Sequence, residues 1–377
     1  MCKPSSSATH CDFVDFYRWN VEMGSHMREA FYVGGKYVKG DQGTHTLQGQ
    51  MYVEHLTPDS PERQPFPLLF IHGGTRTGIE TRLSVQKDWL TKPDGSPGWS
   101  SFFLSRGYEV YLIDVPFRGR SPWYPGNGTM VAFGAEQVQK MFTASELYDI
   151  WPQAKLHTQW PGSGVMGDSI FDSFYASASQ MLGDVVVQEL ASQAACAALL
   201  DRIGRPVVMI GHSQGGAIPY LTADIRPSLV KAIVNLEPVG PPFSKATIFK
   251  RPGTPYGITH APITYEPPVT NPDDDLVKAI VEPTSPDLMD CVLQAETPQP
   301  RTLANLASTP VLIVTTQASY HAQYDWGIVA YLKQAGVPTK HLKLEDEGIL
   351  GNGHMMFLEM NSDAVAAKVE DWIAQTI

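Results

Sequence analysis

A serine set in a glycine-rich turn is the residue best suited to chemistry in this sequence. Ser213 lies in the run GHSQGG (211–216), directly after the apolar stretch PVVMI and before residues that favour a helix. Such a turn exposes the serine hydroxyl above a sheet, because its small neighbours permit strained backbone angles. The N-terminus of the following helix faces any negative charge that develops there. The pattern predicts that Ser213 is a nucleophile.

A histidine near the end of the chain has the context of a general base. His354 lies in the run GNGHMM (351–356), after the stretch HLKL and before a predicted helix that begins near Ser362. A histidine in a glycine-flanked loop after the last strand can reach the serine, and it exchanges a proton near neutral pH. The sequence holds 11 histidines. Only His354 has this context, so we predict that it is the base.

The acid that would orient this histidine has two candidates. The usual position of this acid follows the predicted strand Val311–Val314, but the sequence after this strand contains no acidic residue before Asp325. By contrast, the strand Ala232–Leu236 ends directly in Glu237. Adjacent strand ends converge over the nucleophile, so a carboxylate at this end can reach His354. We therefore predict Glu237 as the acid and keep Asp325 as the alternative.

A glycine-rich turn after an early strand predicts an oxyanion hole. The run FIHGG (70–74) ends such a strand, and in this kind of turn one backbone N–H faces the reacting carbonyl oxygen. The residue after the nucleophile supplies the second N–H. The predicted donors are therefore Gly74 and Gln214, while His72 is expected to brace the loop by hydrogen bonding.

The elements that must position these residues alternate between strand and helix. Short β-rich pieces between Phe31 and Glu54 predict two antiparallel edge strands. Helical patterns follow, such as Val185–Ile203 and Tyr324–Ala335, between apolar runs of buried-strand length. The turn 114–121, which contains Asp114 and Arg118, is expected to be structural. We predict an α/β fold with a mostly parallel central sheet and helices on both faces. The apolar runs are Pro67–Ile71, Glu109–Ile113, Val207–Ile210, Ala232–Leu236, Val311–Val314 and His341–Leu344.

Two intervals are longer than a connection between strands requires. Residues 31–377 are predicted to form the catalytic domain, preceded by an N-terminal extension over residues 1–30. Inside the domain, insertions over about 122–184 and 239–306 would emerge beyond the carboxyl ends of the strands, where open α/β sheets bind ligands. We interpret them as a cap over the active site.

The first insertion is rich in aromatic residues, which line most small-molecule sites. From it we predict Trp160, Phe171 and Phe174 as substrate-pocket residues, together with Met355 beside the proposed base. Such a pocket favours a bulky apolar or aromatic substrate.

Composition excludes several classes of function. The 377 residues are 43% hydrophobic, and the net charge of −11 without a basic run argues against nucleic-acid binding. The four cysteines have no metal-ligand spacing, so no metal and no organic cofactor is predicted. No stretch has the roughly 20 apolar residues of a membrane span. Residues 1–20 lack the apolar run of a signal peptide, from which we expect a cytoplasmic protein.

With these residues in view, the chain resembles a small branch of α/β-hydrolase esterases, typified by a bacterial esterase with a Ser-His-Glu triad. The likeness extends from about Gly34 to the end. The resemblance implies the same roles for Ser213, Glu237 and His354. The bacterial relatives carry cysteines where this chain has Gly74 and Thr75, so no redox feature is transferred. The shared motifs are GTHTLQGQMYVE, LFIHGG-x-x-TG, D-G-x-x-GW, FLSRGYEVYLID, R-G-R-S, HSQ-x-G, AIV-x-x-EP and GNGHMM.

The expected reaction is the hydrolysis of a small-molecule ester or lactone through an acyl-enzyme. One alternative uses the same residues for carbon–carbon bond cleavage or acyl transfer in secondary metabolism. Another, from a different class, is a non-catalytic ligand-binding protein that keeps the fold. The sequence leaves the oligomeric state open, a homodimer included.

Overall fold

One eight-stranded sheet carries the strand ends at which the predicted site residues lie. The structure is a computed structural model and describes residues 25–40, 43–78, 88–244 and 253–377. The strands of the described residues are β1 (His26–Lys39), β2 (His45–Pro58), β3 (Leu68–Ile71), β4 (Val110–Asp114), β5 (Met130–Val131), β6 (Met181–Leu182), β7 (Val207–His212), β8 (Val230–Leu236), β9 (Lys278–Val281), β10 (Cys291–Gln294), β11 (Val311–Thr315) and β12 (Thr339–Lys343). The order of strands in the sheet is β1-β2-β4-β3-β7-β8-β11-β12. Two short pairs, β5 with β6 and β9 with β10, lie apart from this sheet.

The sheet is antiparallel at one edge and parallel elsewhere. β2 pairs antiparallel with β1 and β4, whereas all pairs from β4 to β12 are parallel. β3, β7 and β11 are buried throughout, which explains their apolar runs LLFI, VVMI and VLIV. β1 begins at His26, before the predicted domain boundary at residue 31, because His26–Ala30 already pair with Glu54–Pro58. The boundary prediction is corrected accordingly.

Helices cover both faces of the sheet. The chain moves from β3 to β4 in one direction along the sheet order and from β7 to β8 in the other. Right-handed crossovers in opposite directions put their helices on opposite faces. The helices of the described residues are α1 (Trp99–Leu104), α2 (Ala135–Val138), α3 (Ser169–Ala176), α4 (Val185–Ile203), α5 (Ala217–Ile225), α6 (Pro272–Asp275), α7 (Asp325–Gln334) and α8 (Ser362–Thr376), of which α2, α3 and α6 lie in the two insertions. Accordingly, α1 packs with α8, and α4 packs with α5.

The two predicted cap insertions leave the sheet after β4 and after β8, at the carboxyl ends of these strands. Residues 122–184 form α2, α3 and the β5–β6 pair, and residues 239–306 form α6 and the β9–β10 pair. Part of the second insertion, residues 245–252, lies outside the described residues. Within the described part of both insertions, no strand joins the main sheet.

Among the described helices, none combines the length and the apolar character needed to cross a membrane. Cys196 and Cys291 are free and buried. Cys2, Cys11 and the first twenty residues, on which the cytoplasmic prediction rests, lie outside the described residues.

Candidate active site

Ser213 occupies a strained turn between β7 and α5. Its φ is 52°, in the left-handed region that residues with a side chain rarely adopt. Close packing on both sides requires the glycines of this turn. A Cβ on Gly215 would lie 2.5 Å from the His72 carbonyl oxygen, and one on Gly216 would lie 2.5 Å from Pro238 Cβ. The turn therefore holds the serine at the end of the strand, on the wall of a cavity.

Glu237 lies at the end of β8, the neighbour of β7, and is fully buried. Its Oε1 accepts hydrogen bonds from the Thr316 N–H (2.9 Å) and hydroxyl (2.7 Å). Its Oε2 accepts from the Ser319 hydroxyl (2.7 Å) and from His354 Nδ1 (2.7 Å). Burial raises the pKa of Glu237, although the charge of His321 and the donors from Ser319 and Thr316 oppose this. The four donors satisfy both oxygens of a buried carboxylate.

Asp325, the alternative acid, is engaged elsewhere. It is the first residue of α7, and its carboxylate accepts from the Thr315 hydroxyl (2.7 Å) and from His321 Nδ1 (2.8 Å). The structure therefore brings Glu237, and not Asp325, to His354.

His354 is buried, with its two ring nitrogens in different surroundings. Nδ1 donates to Glu237, so Nε2 carries the lone pair, and it lies 3.4 Å from the Tyr320 hydroxyl. Burial, and second the charge of His321, hold the pKa of His354 well below its usual range. Ser213 and His354 line the same cavity, but among the described residues no hydrogen bond joins them. A neutral imidazole with its lone pair on Nε2 is the form that can accept a proton.

A second histidine–carboxylate pair packs against the first. The His321 ring stacks on the His354 ring with centroids 4.9 Å apart and an interplanar angle of 5°. Although burial opposes protonation, the carboxylates of Asp325 and Glu237 raise the pKa of His321. The i,i+4 spacing of His321 and Asp325 at a helix start was a sequence signal for this pair. This pair is not among the residues predicted from the sequence.

Three of these side chains, Glu237, His321 and His354, offer ligand atoms within 4.8 Å of one another. The geometry is poor for a metal ion. Parallel stacked rings direct their in-plane lone pairs side by side, whereas the ligands of one ion must converge on it. An ion would also have to replace the proton between His354 and Glu237. The arrangement fits proton transfer better than metal binding.

The loop that carries His354 is held by a buried carboxylate, Glu359, which is not among the residues predicted from the sequence. Glu359 accepts from the Gly353 N–H (2.9 Å), from Asn352 Nδ2 (2.7 Å) and from His157 Nε2 (2.8 Å). Although burial opposes it, the carboxylates of Glu146 and Glu359 raise the pKa of His157 to about 9. His157 belongs to the first insertion, so this ion pair links the insertion to the loop of the proposed base.

The two predicted oxyanion-hole residues lie on adjacent loops. A Cβ on Gly73 would lie 3.1 Å from Ser213 Cβ, and one on Gly74 would lie 3.4 Å from Gln214 Oε1. No described group accepts a hydrogen bond from the Gly74 N–H. Both Gly74 and Gln214 line the cavity, so this N–H is available to a ligand oxygen.

The cavity has a volume of about 760 Å³ and is walled by both insertions and the strand ends. Of the four predicted pocket residues, Phe174 and Met355 line it. Trp160 and Phe171 are not among its described walls. Trp160 packs edge-on behind Phe174 (centroids 5.0 Å), and Phe171 stacks on Tyr175 (5.8 Å), so both lie one layer back. For these two residues the prediction is corrected. Apolar wall residues that it did not name include Phe133, Phe142 and Met181.

Comparisons with known proteins give a relative that is named as a probable lipase and a similar fold in a protein described as an esterase. The chain is 45% identical to a protein named probable secreted lipase phiG, from Fungal sp. (strain ATCC 74256). The match spans 352 residues, 93% of this chain and 91% of the relative. A bacterial esterase of known structure has a TM-score of 0.60 at 21% identity, over 94% of this chain and 98% of that one. At this identity the likeness shows the fold alone, and it confirms the predicted α/β-hydrolase architecture.

The prediction of a cytoplasmic protein is contradicted by the fungal relative, whose name describes it as secreted. The composition of residues 1–20 is the only basis of that prediction. Similarity over nine-tenths of both chains is stronger evidence.

The alpha/beta hydrolase family model matches residues 68–368, from the first residue of β3 into α8. This range includes the turn of Ser213, the strand end of Glu237 and the loop of His354. The match confirms the resemblance inferred from the motifs. The chain therefore belongs to the alpha/beta hydrolase family.

Proposed function

We propose that the chain is a serine esterase of the lipase type, which cleaves carboxylic esters through an acyl-enzyme. One observation carries the proposal: Ser213 and His354 line the same cavity, and Nδ1 of His354 is hydrogen-bonded to the buried Glu237. The similarity to a protein named as a lipase supports it.

In the proposed mechanism, His354 takes the proton of Ser213 as the serine attacks the ester carbonyl. Glu237 holds Nδ1 protonated and thereby keeps the lone pair on Nε2, and it stabilises the imidazolium that forms. Nε2 must turn from Tyr320 towards the serine. Catalytic hydrogen bonds are often long without substrate and shorten in the Michaelis complex. The proton then passes to the leaving alcohol, and water releases the acyl group with the same base.

The negative charge of the tetrahedral intermediate would be stabilised by the N–H groups of Gly74 and Gln214. Donors that are fixed before the reaction need no reorganisation as charge develops. The N–H of Gly74 has no hydrogen-bond acceptor among the described residues, which supports this role.

The size of the cavity supports a bulky apolar acyl or alcohol group as substrate. A volume of about 760 Å³ lies within the usual range of small-molecule sites and exceeds the needs of an acetyl group. Aromatic side chains from the first insertion, such as Phe133, Phe142 and Phe174, form much of the apolar wall. We propose that the two insertions act as a cap and that the protein, like its fungal relative, is secreted.

The test is a panel of p-nitrophenyl esters from acetate to long-chain and aryl acyl groups, with the wild type and Ser213→Ala. We expect hydrolysis by the wild type, a higher kcat/KM for the larger groups, and a loss of several orders of magnitude in the variant. Incorporation of oxygen from ¹⁸O-labelled water into the acid distinguishes hydrolysis from transfer to another acceptor. A folded wild type that turns over no member of the panel would contradict the proposal.

A further inference from the structure

Arg118 connects the two loops that carry the proposed oxyanion-hole donors. It lies in the turn after β4, and only 2% of its surface is exposed. Its Nη1 donates to the carbonyl oxygen of Gly73 (2.8 Å), and its Nη2 donates to Gln214 Oε1 (3.2 Å). Gly73 belongs to the loop after β3, and Gln214 to the turn after β7. A single guanidinium therefore holds both loops at fixed positions relative to each other.

The contact with Gly73 fixes the direction of the neighbouring N–H. The carbonyl of Gly73 and the N–H of Gly74 belong to one planar peptide unit, so they point in opposite directions. The His72 ring also donates to this carbonyl from Nδ1 (3.0 Å), because its Nε2 accepts from the Val115 N–H (3.2 Å). The peptide cannot rotate without losing the hydrogen bonds of both His72 and Arg118.

The contact with Gln214 restrains the second loop. In the described part of the chain, Arg118 is the one hydrogen-bond partner of this side-chain amide, because Gln214 Nε2 is buried without a partner. Loss of Arg118 would free the side chain of the residue whose backbone N–H is the second proposed donor.

Arg118 also places a buried positive charge close to the site. Burial lowers its pKa to about 9, and the nearby Asp114 carboxylate opposes the shift, so the group is a cation at neutral pH. A fixed cation behind a hydrogen-bonded peptide favours negative charge on the other side of that peptide. Arg118 is not among the described residues that line the cavity, so it acts through the two loops.

We propose that Arg118 is a positioning residue of the oxyanion hole: it aligns the Gly73–Gly74 peptide and the Gln214 turn towards the oxyanion that forms on the substrate. The inference rests on the proposed esterase function and adds a specific requirement to it.

The experiment compares wild type, Arg118→Met, Arg118→Lys and the control Arg120→Met. Arg120 lies in the same turn, but its ion pairs are with Glu54 and Asp114. For each folded protein, kcat and KM are measured with one ester, and the inhibition constant is measured for a trifluoromethyl ketone, whose adduct carries an oxyanion. Circular dichroism and the thermal midpoint report folding.

Removal of one direct oxyanion donor costs about 10²- to 10³-fold in kcat, so misalignment by Arg118→Met should cost about 10- to 100-fold. The ketone should bind more weakly by a similar factor, while KM changes by less than about threefold. Arg118→Lys keeps the charge and can reach one loop, so it should recover part of the loss. Arg120→Met should leave kcat and the ketone affinity close to those of wild type.

A folded Arg118→Met protein with kcat and ketone affinity within about threefold of wild type would overturn the inference. So would equal losses in Arg118→Met and Arg120→Met. If Arg118→Met does not fold, Gln214→Met tests the second contact alone: a loss of about 3- to 10-fold in kcat and in ketone affinity supports the inference, and no loss overturns it. Inactivity of the wild type itself would instead count against the proposed function.

Discussion

Replacing Glu237 with glutamine keeps the shape of the side chain and exchanges one acceptor for a donor. The glutamine oxygen fits the Oε1 position, where it can still accept both hydrogen bonds from Thr316. The NH₂ group then takes the Oε2 position, where it faces Ser319 and His354 Nδ1. The Ser319 hydroxyl can rotate to accept. His354 can accept only if its proton moves to Nε2, and that tautomer has no lone pair facing Ser213.

We therefore expect Glu237→Gln to lower kcat by about 10²- to 10⁴-fold, the range for serine hydrolases whose base is held in the wrong tautomer. KM should change little, because Glu237 is buried behind His354 and is not among the described cavity walls. The substitution removes a buried charge, so the protein should remain folded. The assay is steady-state hydrolysis of one p-nitrophenyl ester, with the thermal midpoint as a check of folding.

Asp325→Asn is the matched control, since it makes the same chemical change on the other histidine–carboxylate pair. It leaves the contact between Glu237 and His354 intact and should cost less than about tenfold in kcat. If Glu237→Gln keeps more than about a tenth of the wild-type kcat, or if Asp325→Asn costs as much, the assignment of the acid is refuted.

Two further predictions concern the cavity wall and the buried ion pair. Phe174→Ala should lower kcat/KM for long-chain and aryl esters about tenfold more than for the acetate, whereas Phe171→Leu, one layer behind, should leave this ratio unchanged; equal ratios in both variants would refute the pocket assignment. His157 has a pKa of about 9 in the folded protein, above its ordinary value of about 6.5. Its ion pair with Glu359 should contribute fully to stability below about pH 6.5 and be lost as the pH rises through about 9. Between pH 6.5 and 9.5, the urea midpoint of unfolding should therefore fall more steeply with rising pH for the wild type than for His157→Gln. Parallel plots of the midpoint against pH for the two proteins would contradict this.

The elements that could be predicted from the sequence are those with a local signature. Runs such as PVVMI and PVLIV indicated buried parallel strands, because a strand covered on both faces has no polar side. Glycines around Ser213 and His354 marked turns at strand ends. Glu237 could be predicted as the acid because a carboxylate follows β8 directly and none follows β11 directly. β8 and β11 are neighbours in the sheet.

The remaining features depend on contacts between distant parts of the chain. His157 and Glu359 are 202 residues apart, and nothing local to either predicts that they meet. The aromatic composition of the first insertion indicated burial, but it could not tell whether a ring faces the cavity or the layer behind it. Trp160 and Phe171 were misassigned for this reason.

The central claim is that Ser213 is a nucleophile activated by the pair of His354 and Glu237. A fluorophosphonate reacts covalently with such a serine, and peptide mass spectrometry of the inactivated wild type locates the adduct. We predict one equivalent of adduct on the peptide that contains Ser213, with inactivation slowed in Glu237→Gln in parallel with its kcat. An adduct on another residue, or no adduct on a chain that hydrolyses esters, would contradict the account.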